Sequence, residues 1–281
     1  MKLLRFGPAG QEKPGLLDDK GVIRDLTGHV GDITGDVLGD EALARIAAID
    51  PATLPEVDPA TRLGPCVGSI GKLLCIGLNY SDHAAESGLP IPDHPILFMK
   101  ANSAIVGPND DVEIPRGSTK TDWEVELGVV IGTRAKYVEK ADALSHVAGY
   151  CVVNDVSERH FQTQLTGQWT KGKSCDTFGP VGPWMVTRDE VPNPQALDLW
   201  LDVNGTRRQT GTTAKMIFDV AAIIEHLSQL MTLHPGDVIS TGTPPGVGMG
   251  IKPEPVYLKE GDVMELGIAG LGAQKQTVVQ G

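Results

Sequence analysis

The sequence predicts a mainly β chain with some α-helix, preceded by a small α/β unit, and three observations carry that prediction. Gly 34 and Pro 20 together make about a fifth of the 281 residues, above the ~12% usual in globular chains, which implies many turns between short elements. Short β-branched runs recur along the chain, while only one stretch sustains a long helical pattern. A proline-rich connector, DPATLPEVDPATRLGP, then separates a first unit, residues 1–68, from a second, residues 69–281.

In the first unit, residues 2–6, 15–17 and 21–26 read as short strands broken by Gly, Asp or Pro. Leu43, Ile46 and Ala47 fall at helical spacing between residues 40 and 49. In the second unit, residues 73–78, 96–100, 125–132, 149–153 and 197–203 are apolar or β-branched runs that read as strands. Met216, Ile217, Val220, Ile223, Ile224, Leu227 and Leu230 recur as the apolar stripe of one long helix, with a stop near residues 234–237. Residues 238–241 restart as a strand, and residues 262–268 are expected to be the last one.

Composition excludes several classes. Hydrophobic residues at 41% and charged ones at 21% are ordinary for a folded globular chain, so disorder is excluded as the main state. A formal net charge of −12 without basic clusters excludes nucleic acid and anionic membrane as natural partners. No apolar run approaches the ~18 residues of a membrane span. The opening MKLLRFGPAGQEK lacks a signal-type apolar stretch, and Cys66, Cys75, Cys151 and Cys175 form no CxxC. A cytoplasmic protein with reduced thiols is the expectation.

The residues able to do chemistry lie in the second unit. Along a strand, positions i and i+2 share a face, so in DWEVEL Glu124 and Glu126 point together while Trp123, Val125 and Leu127 face the core. Two such carboxylates repel unless a cation sits between them, and an all-oxygen set suits Mg²⁺, Mn²⁺ or Ca²⁺. Taken alone, the pair also fits a solvated edge strand. Asp155 follows an apolar strand and supplies a third oxygen ligand, although alone it also reads as a turn residue. Asp122, on the same face, is the substitute ligand, placed behind the other three. His83 and Glu86 stand at i, i+3 in SDHAAES, where a carboxylate can orient an imidazole as a general base; Ser81 or Asp82 could cap that turn. The remaining histidines show no zinc spacing. Lys173, in TKGKS, lacks the glycines of a phosphate loop, and Gly246, Gly248 and Gly250 do not make a dinucleotide fingerprint.

The collinear series GLNYSDHAAE, FMKANSAIVGP, DWEVELGVVIG, VVNDVSER, WTKGKSCDTFGPVGPW, GDVISTGTPPGVG and LKEGDVMELGIAGLG resembles the fumarylacetoacetate hydrolase family over roughly residues 70–281. The resemblance implies a mixed β-roll catalytic domain, commonly dimeric, beside the small N-terminal domain. It implies Glu124, Glu126 and Asp155 as ligands of Mg²⁺ or Mn²⁺, His83 and Glu86 as a water-activating pair on a lid, and Lys173 as the catalytic lysine. Thr243 would receive the substrate carboxylate, with Gly242, Lys100 and Gln162 as further substrate-binding positions. The further upstream metal carboxylate of fumarylacetoacetase has no certain counterpart here, and Cys175 stands where many relatives carry an aromatic.

The function so implied is hydrolysis of a C–C bond in a 2,4-diketo acid, giving pyruvate and a carboxylic acid. HFQTQLTGQWTKGKSCD looks most like the 2,4-diketo-3-deoxy-L-rhamnonate or L-fuconate hydrolases, and its polar residues Gln162, Thr163, Gln164, Thr166 and Gln168 suggest a hydroxylated tail with lactate as the second product. Acylpyruvate hydrolysis, oxo-acid decarboxylation or isomerisation, and ureidoglycolate lysis are the alternatives within the family. A homodimer or higher homo-oligomer is the expected assembly.

Overall fold

The computed structural model describes residues 1–88 and 90–281. Its larger sheet runs in the order Ile23–Asp25, Lys13–Leu17, Lys2–Phe6, Gly179–Thr187, Val147–Asn154, Val125–Ile131, Val238–Ser240, Leu73–Gly77, Ile96–Lys100. The strand Val125–Ile131 lies inside this sheet, antiparallel to Val147–Asn154 on one side and to Val238–Ser240 on the other. Every residue of Val125–Ile131 and of Val147–Asn154 is buried, because the sheet is covered on both faces. The pleat sorts their side chains: Val125, Leu127, Val129 and Ile131 enter one core with Tyr150 and Val152, while Val130 enters the other with Cys151 and Val153.

The first core is closed by a smaller sheet in the order Thr206–Thr212, Asp198–Val203, Val263–Ile268, Gly272–Gln280, Val112–Ile114. Its Leu199, Leu201, Met264, Leu266 and Val278 pack there beside Ile223, Ile224 and Leu227 of the helix Val220–Leu230. The second core receives Leu16, Leu26, Ile33, Leu43 and Ile46 from the N-terminal segment, Leu54 from the connector, and Cys66, Val67 and Ile70 from the residues that follow it.

Four features differ from the sequence reading. The N-terminal unit joins the larger sheet, since Lys2–Phe6 pairs with Gly179–Thr187, and Leu54 of the proline-rich connector is part of the packed core. The helix begins at Val220, not Met216: Asp219 caps it through Ala222 N, while Ile217 N and Phe218 N bond the backbone and side-chain oxygens of Asn79. A strand follows residues 262–268, namely Gly272–Gln280. The short helix Ser81–Ser87 has Tyr80 at its N-cap without a side-chain cap, so neither Ser81 nor Asp82 fills that place.

Candidate metal centre and its cavity

The strand order places the three expected carboxylates together. Glu126 projects from the interior strand, Glu124 precedes it by one residue, and Asp155 follows the neighbouring strand, with its N–H donating to Glu124 O at 2.9 Å. One oxygen from each of Glu124, Glu126 and Asp155 lies within 4.8 Å of the other two, and all three residues are buried. That span is about twice an oxygen–Ca²⁺ distance of ~2.4 Å, so a hard divalent ion can bridge the set after little or modest closure. The solvated edge strand is thereby excluded.

Charge supports the same assignment. Lys173 Nζ donates to Glu124 Oε2 and Asp155 Oδ2, both at 2.7 Å. Arg159 Nε donates to Asp122 Oδ2 at 2.8 Å, and its Nη2 lies 2.7 Å from Glu124 Oε1 in ion-pair contact without hydrogen-bond alignment. Lys100 Nζ lies 2.6 Å from Asp155 Oδ1, which likewise has no aligned donor. Burial opposes ionisation of Glu124, yet Lys173 and Arg159 pull it down to about 2. Glu126 is different. Among the described residues its carboxylate accepts from two groups, both neutral, Ser240 Oγ at 2.6 Å and Gly242 N at 2.9 Å. Burial, then the charges of Asp155 and Glu124, push it well above the ordinary carboxylate range. A buried anionic cluster with an unmatched carboxylate and an orphaned Asp155 oxygen fits a divalent cation.

The cluster opens on a cavity of about 200 Å³ lined by Glu124, Glu126, Lys173, His83 and Thr243 together with apolar side chains. His83 Nδ1 lies 3.1 Å from Glu86 Oε2. That contact assigns the proton to Nδ1 and leaves Nε2 as the basic nitrogen. Glu86 also accepts from Gly246 N at 3.2 and 3.3 Å. Thr243 Oγ1 donates to Val125 O and accepts from Gln209 Nε2. Its proton is therefore committed, and donation to a substrate carboxylate requires an exchange of partner.

The fumarylacetoacetate (FAA) hydrolase C-terminal family model matches residues 72–279. The chain belongs to the fumarylacetoacetate hydrolase family. Over 99% of its length it is 65% identical to a Burkholderia ambifaria protein, 98% of which is covered, whose provisional name gives a hydrolase and no substrate. It is similar to the fumarylacetoacetate hydrolase structure from Exiguobacterium antarcticum, with TM-score 0.87, 37% identity and complete coverage of both chains. It is also similar to maleylpyruvate hydrolase from Sphingobium sp. SYK-6, solved in complex with manganese(II) and pyruvate, with TM-score 0.83, 31% identity and complete coverage of both chains.

Within this family member, two expected substrate-binding residues lie behind the cavity wall and do not line it. Lys100 is buried and donates to Val156 O at 2.9 Å and Lys173 O at 2.7 Å, so it ties the Asp155 turn to the short helix Thr170–Lys173. Gly242, at φ +98°, turns its N–H onto Glu126, and a Cβ there would meet Asn79 Cβ at 2.8 Å. Gln162 does line the cavity, with its Oε1 accepting from Arg159 Nη1 at 3.1 Å. Cys175 does not. Arg159 was not singled out in the sequence, yet it is buried, lines the cavity and joins Asp122, Glu124 and Gln162. Its i, i+3 spacing to Gln162 was the available signal. Among the described residues, no helix is long and apolar enough to cross a membrane.

Proposed function

We propose that the protein hydrolyses the C3–C4 bond of a 2,4-dioxo acid with an uncharged, largely apolar tail, releasing pyruvate and a carboxylic acid. The observation that carries this reading is the meeting, in one cavity, of a buried three-carboxylate cluster with an imidazole backed by a carboxylate. Glu124, Glu126 and Asp155 would hold the divalent cation, which when bound acts as a Lewis acid toward charge developing on the 2-oxo group. Glu86 fixes the tautomer of His83, and His83 Nε2 takes a proton from the water that adds to C4. The C3–C4 bond then breaks, its electron pair passes to C3, and protonation there gives pyruvate. Lys173 and Arg159 bring positive charge to the same wall. Burial works against the Lys173 charge, but Asp155 and Glu124 hold its pKa above the ordinary lysine value, so it stays an ammonium at neutral pH.

Hydrolysis needs an activated water, whereas decarboxylation and tautomerisation do not, and the aligned dyad favours the former. The tail follows from the apolar part of the lining. Ile76, Leu78, Ile96, Phe98, Trp169 and Met249 line it. Trp169 stands edge-on to Phe98 at 5.5 Å and fills the space that a Cβ on Gly77 would occupy, 2.3 Å away. Of the five polar residues that suggested a hydroxylated tail, only Gln162 and Thr163 line the cavity, while Gln164, Thr166 and Gln168 are exposed. This lining does not suit a rhamnonate-type, hydroxylated tail. Each hydroxyl buried against apolar side chains would cost ~1–3 kcal/mol. The test is kcat/KM for an acylpyruvate with a short alkyl or aryl tail against its hydroxylated counterpart. The expected preference is about tenfold or more for the apolar tail, and equal values or a reversed preference would refute the tail assignment.

A further inference from the structure

Asp122 has no role in the reaction as derived, and the loop 246–250 enters it only through the Met249 side chain, yet they lie between its two halves. The Asp122 side chain is fully buried and accepts four hydrogen bonds. Oδ1 takes Trp123 N at 2.8 Å and Gly248 N at 2.6 Å, and Oδ2 takes Met249 N at 2.9 Å and Arg159 Nε at 2.8 Å. Trp123 Nε1 adds a bond to Gly246 O at 3.1 Å. On its other side the loop presents Gly246 N to Glu86, and a Cβ on Gly250 would stand 3.2 Å from the Glu86 carboxylate. The glycines are required by this close approach. A Cβ on Gly248 would meet Val256 O at 2.0 Å and Asp122 Oδ1 at 2.7 Å, and Gly246 holds φ +102° with Arg208 O at 2.0 Å from its Cβ position.

We infer that Asp122 is a positioning residue: through Gly248 and Met249 it fixes the loop whose Gly246 N–H holds Glu86, and thereby sets His83 against the carboxylate cluster. The inference rests on the proposed role of His83 and Glu86 as the water-activating pair. Asp122 does not touch the reacting atoms. It joins Arg159, which faces Glu124, to the loop that faces Glu86, so one carboxylate sets the spacing between the metal centre and the base. An Asn at this position retains one acceptor oxygen and turns an NH₂ donor toward either Trp123 N and Gly248 N or Met249 N and Arg159 Nε, so one of the two pairs is lost.

The test uses the full-length protein and reads amide hydrogen exchange first, which needs no substrate. In Asp122→Asn, exchange should quicken about tenfold or more at residues 81–86 and 246–250 while residues 125–131 stay protected, as expected of local opening. kcat should fall about tenfold with KM changed less than about twofold, in the range seen when a residue behind a functional group is lost. In a Glu86→Gln background the same substitution should add less than about twofold, because both act through His83. Gly250→Ala, which presses on Glu86 without touching Asp122, should give the same local exchange pattern and serves if Asp122→Asn fails to fold. Unchanged exchange at residues 81–86 in the folded variant, or kcat losses that multiply in the double variant, would overturn the inference. Local loosening with unchanged kcat would support the mechanical link and count against the base role of His83.

Discussion

The carboxylate cluster and the histidine dyad share one cavity but are fixed by different physics. Glu124, Glu126 and Asp155 sit on or beside interior strands whose two faces are both covered, and each carboxylate is held by charged or polar partners within the core. The dyad rides on a helix of seven residues, Ser81–Ser87, with side-chain exposures of 12% for His83 and 28% for Glu86. Among the described residues the helix itself bonds the rest of the chain through Gly246 N to Glu86 and Ser81 Oγ to Lys215 O at 3.3 Å, while Asn79 just before it is anchored through Ile217 N, Phe218 N, Phe218 O and Thr241 O. A buried cluster of like charges needs its geometry imposed by the sheet, because any relaxation would admit water or leave a carboxylate unpaired. A base that must meet water and substrate needs the opposite, a perch that can be loosened at low cost.

The contrast predicts which property each substitution moves. The largest effect is expected on the rigid side. Asp155→Asn should lower turnover about 10³-fold, equivalent to ~4 kcal/mol of transition-state stabilisation, and should abolish Mn²⁺ binding in calorimetry. A variant that keeps both would break the cluster assignment. Next, Lys100→Met removes the donor shared by Val156 O and Lys173 O and the cation beside Asp155. It should cost about 3 kcal/mol of stability in urea unfolding, since a buried carboxylate then faces no partner on that side. A neutral result would show that the strand end alone fixes Asp155. On the perched side, His83→Ala should lower kcat about 10²-fold, the worth of a positioned base, while Mn²⁺ affinity changes less than about threefold and stability hardly moves. A large loss of Mn²⁺ affinity there would make His83 a ligand and erase the contrast.

The same division decided what could be read from the chain. The cluster was legible because a pleated strand alternates its faces: Glu124 and Glu126 interrupt an apolar pattern in a way that only a buried charged face explains once Asp155 joins them. The HxxE spacing was legible because one helical turn suffices to state it. The strand Gly272–Gln280 escaped because its inward residues include Gln274 and Gln276, both buried, whose amides bond Val152 O, Gly182 O and Pro108 O rather than following an apolar alternation. The start of the long helix was misplaced because Met216 and Ile217 precede it: Met216 packs against the first core, and Ile217 gives its N–H to Asn79 O instead of to a helix carbonyl. The connector looked like a linker by its prolines, yet its Leu54 enters the second core, and Cys66, Val67 and Ile70 directly after it fill the same core. Arg159 was hidden because its meaning lies in Asp122, 37 residues away in sequence. Lys100 and Gly242 show the reverse case: the motifs that contain them are built around the site, but these two residues hold Asp155 and Glu126 in place from behind.

Metal-dependent hydrolysis is tested most directly by a product count with and without the cation. A short-tailed acylpyruvate is incubated with protein stripped by chelation, and again after Mn²⁺ or Mg²⁺ is restored, and pyruvate, the carboxylic acid and CO₂ are quantified together. The stripped protein should show no turnover. After restoration, pyruvate and acid should appear in equal amounts, without CO₂. Undiminished pyruvate release after chelation would contradict the carboxylate cluster as a metal centre, and CO₂ in place of the acid would contradict hydrolysis.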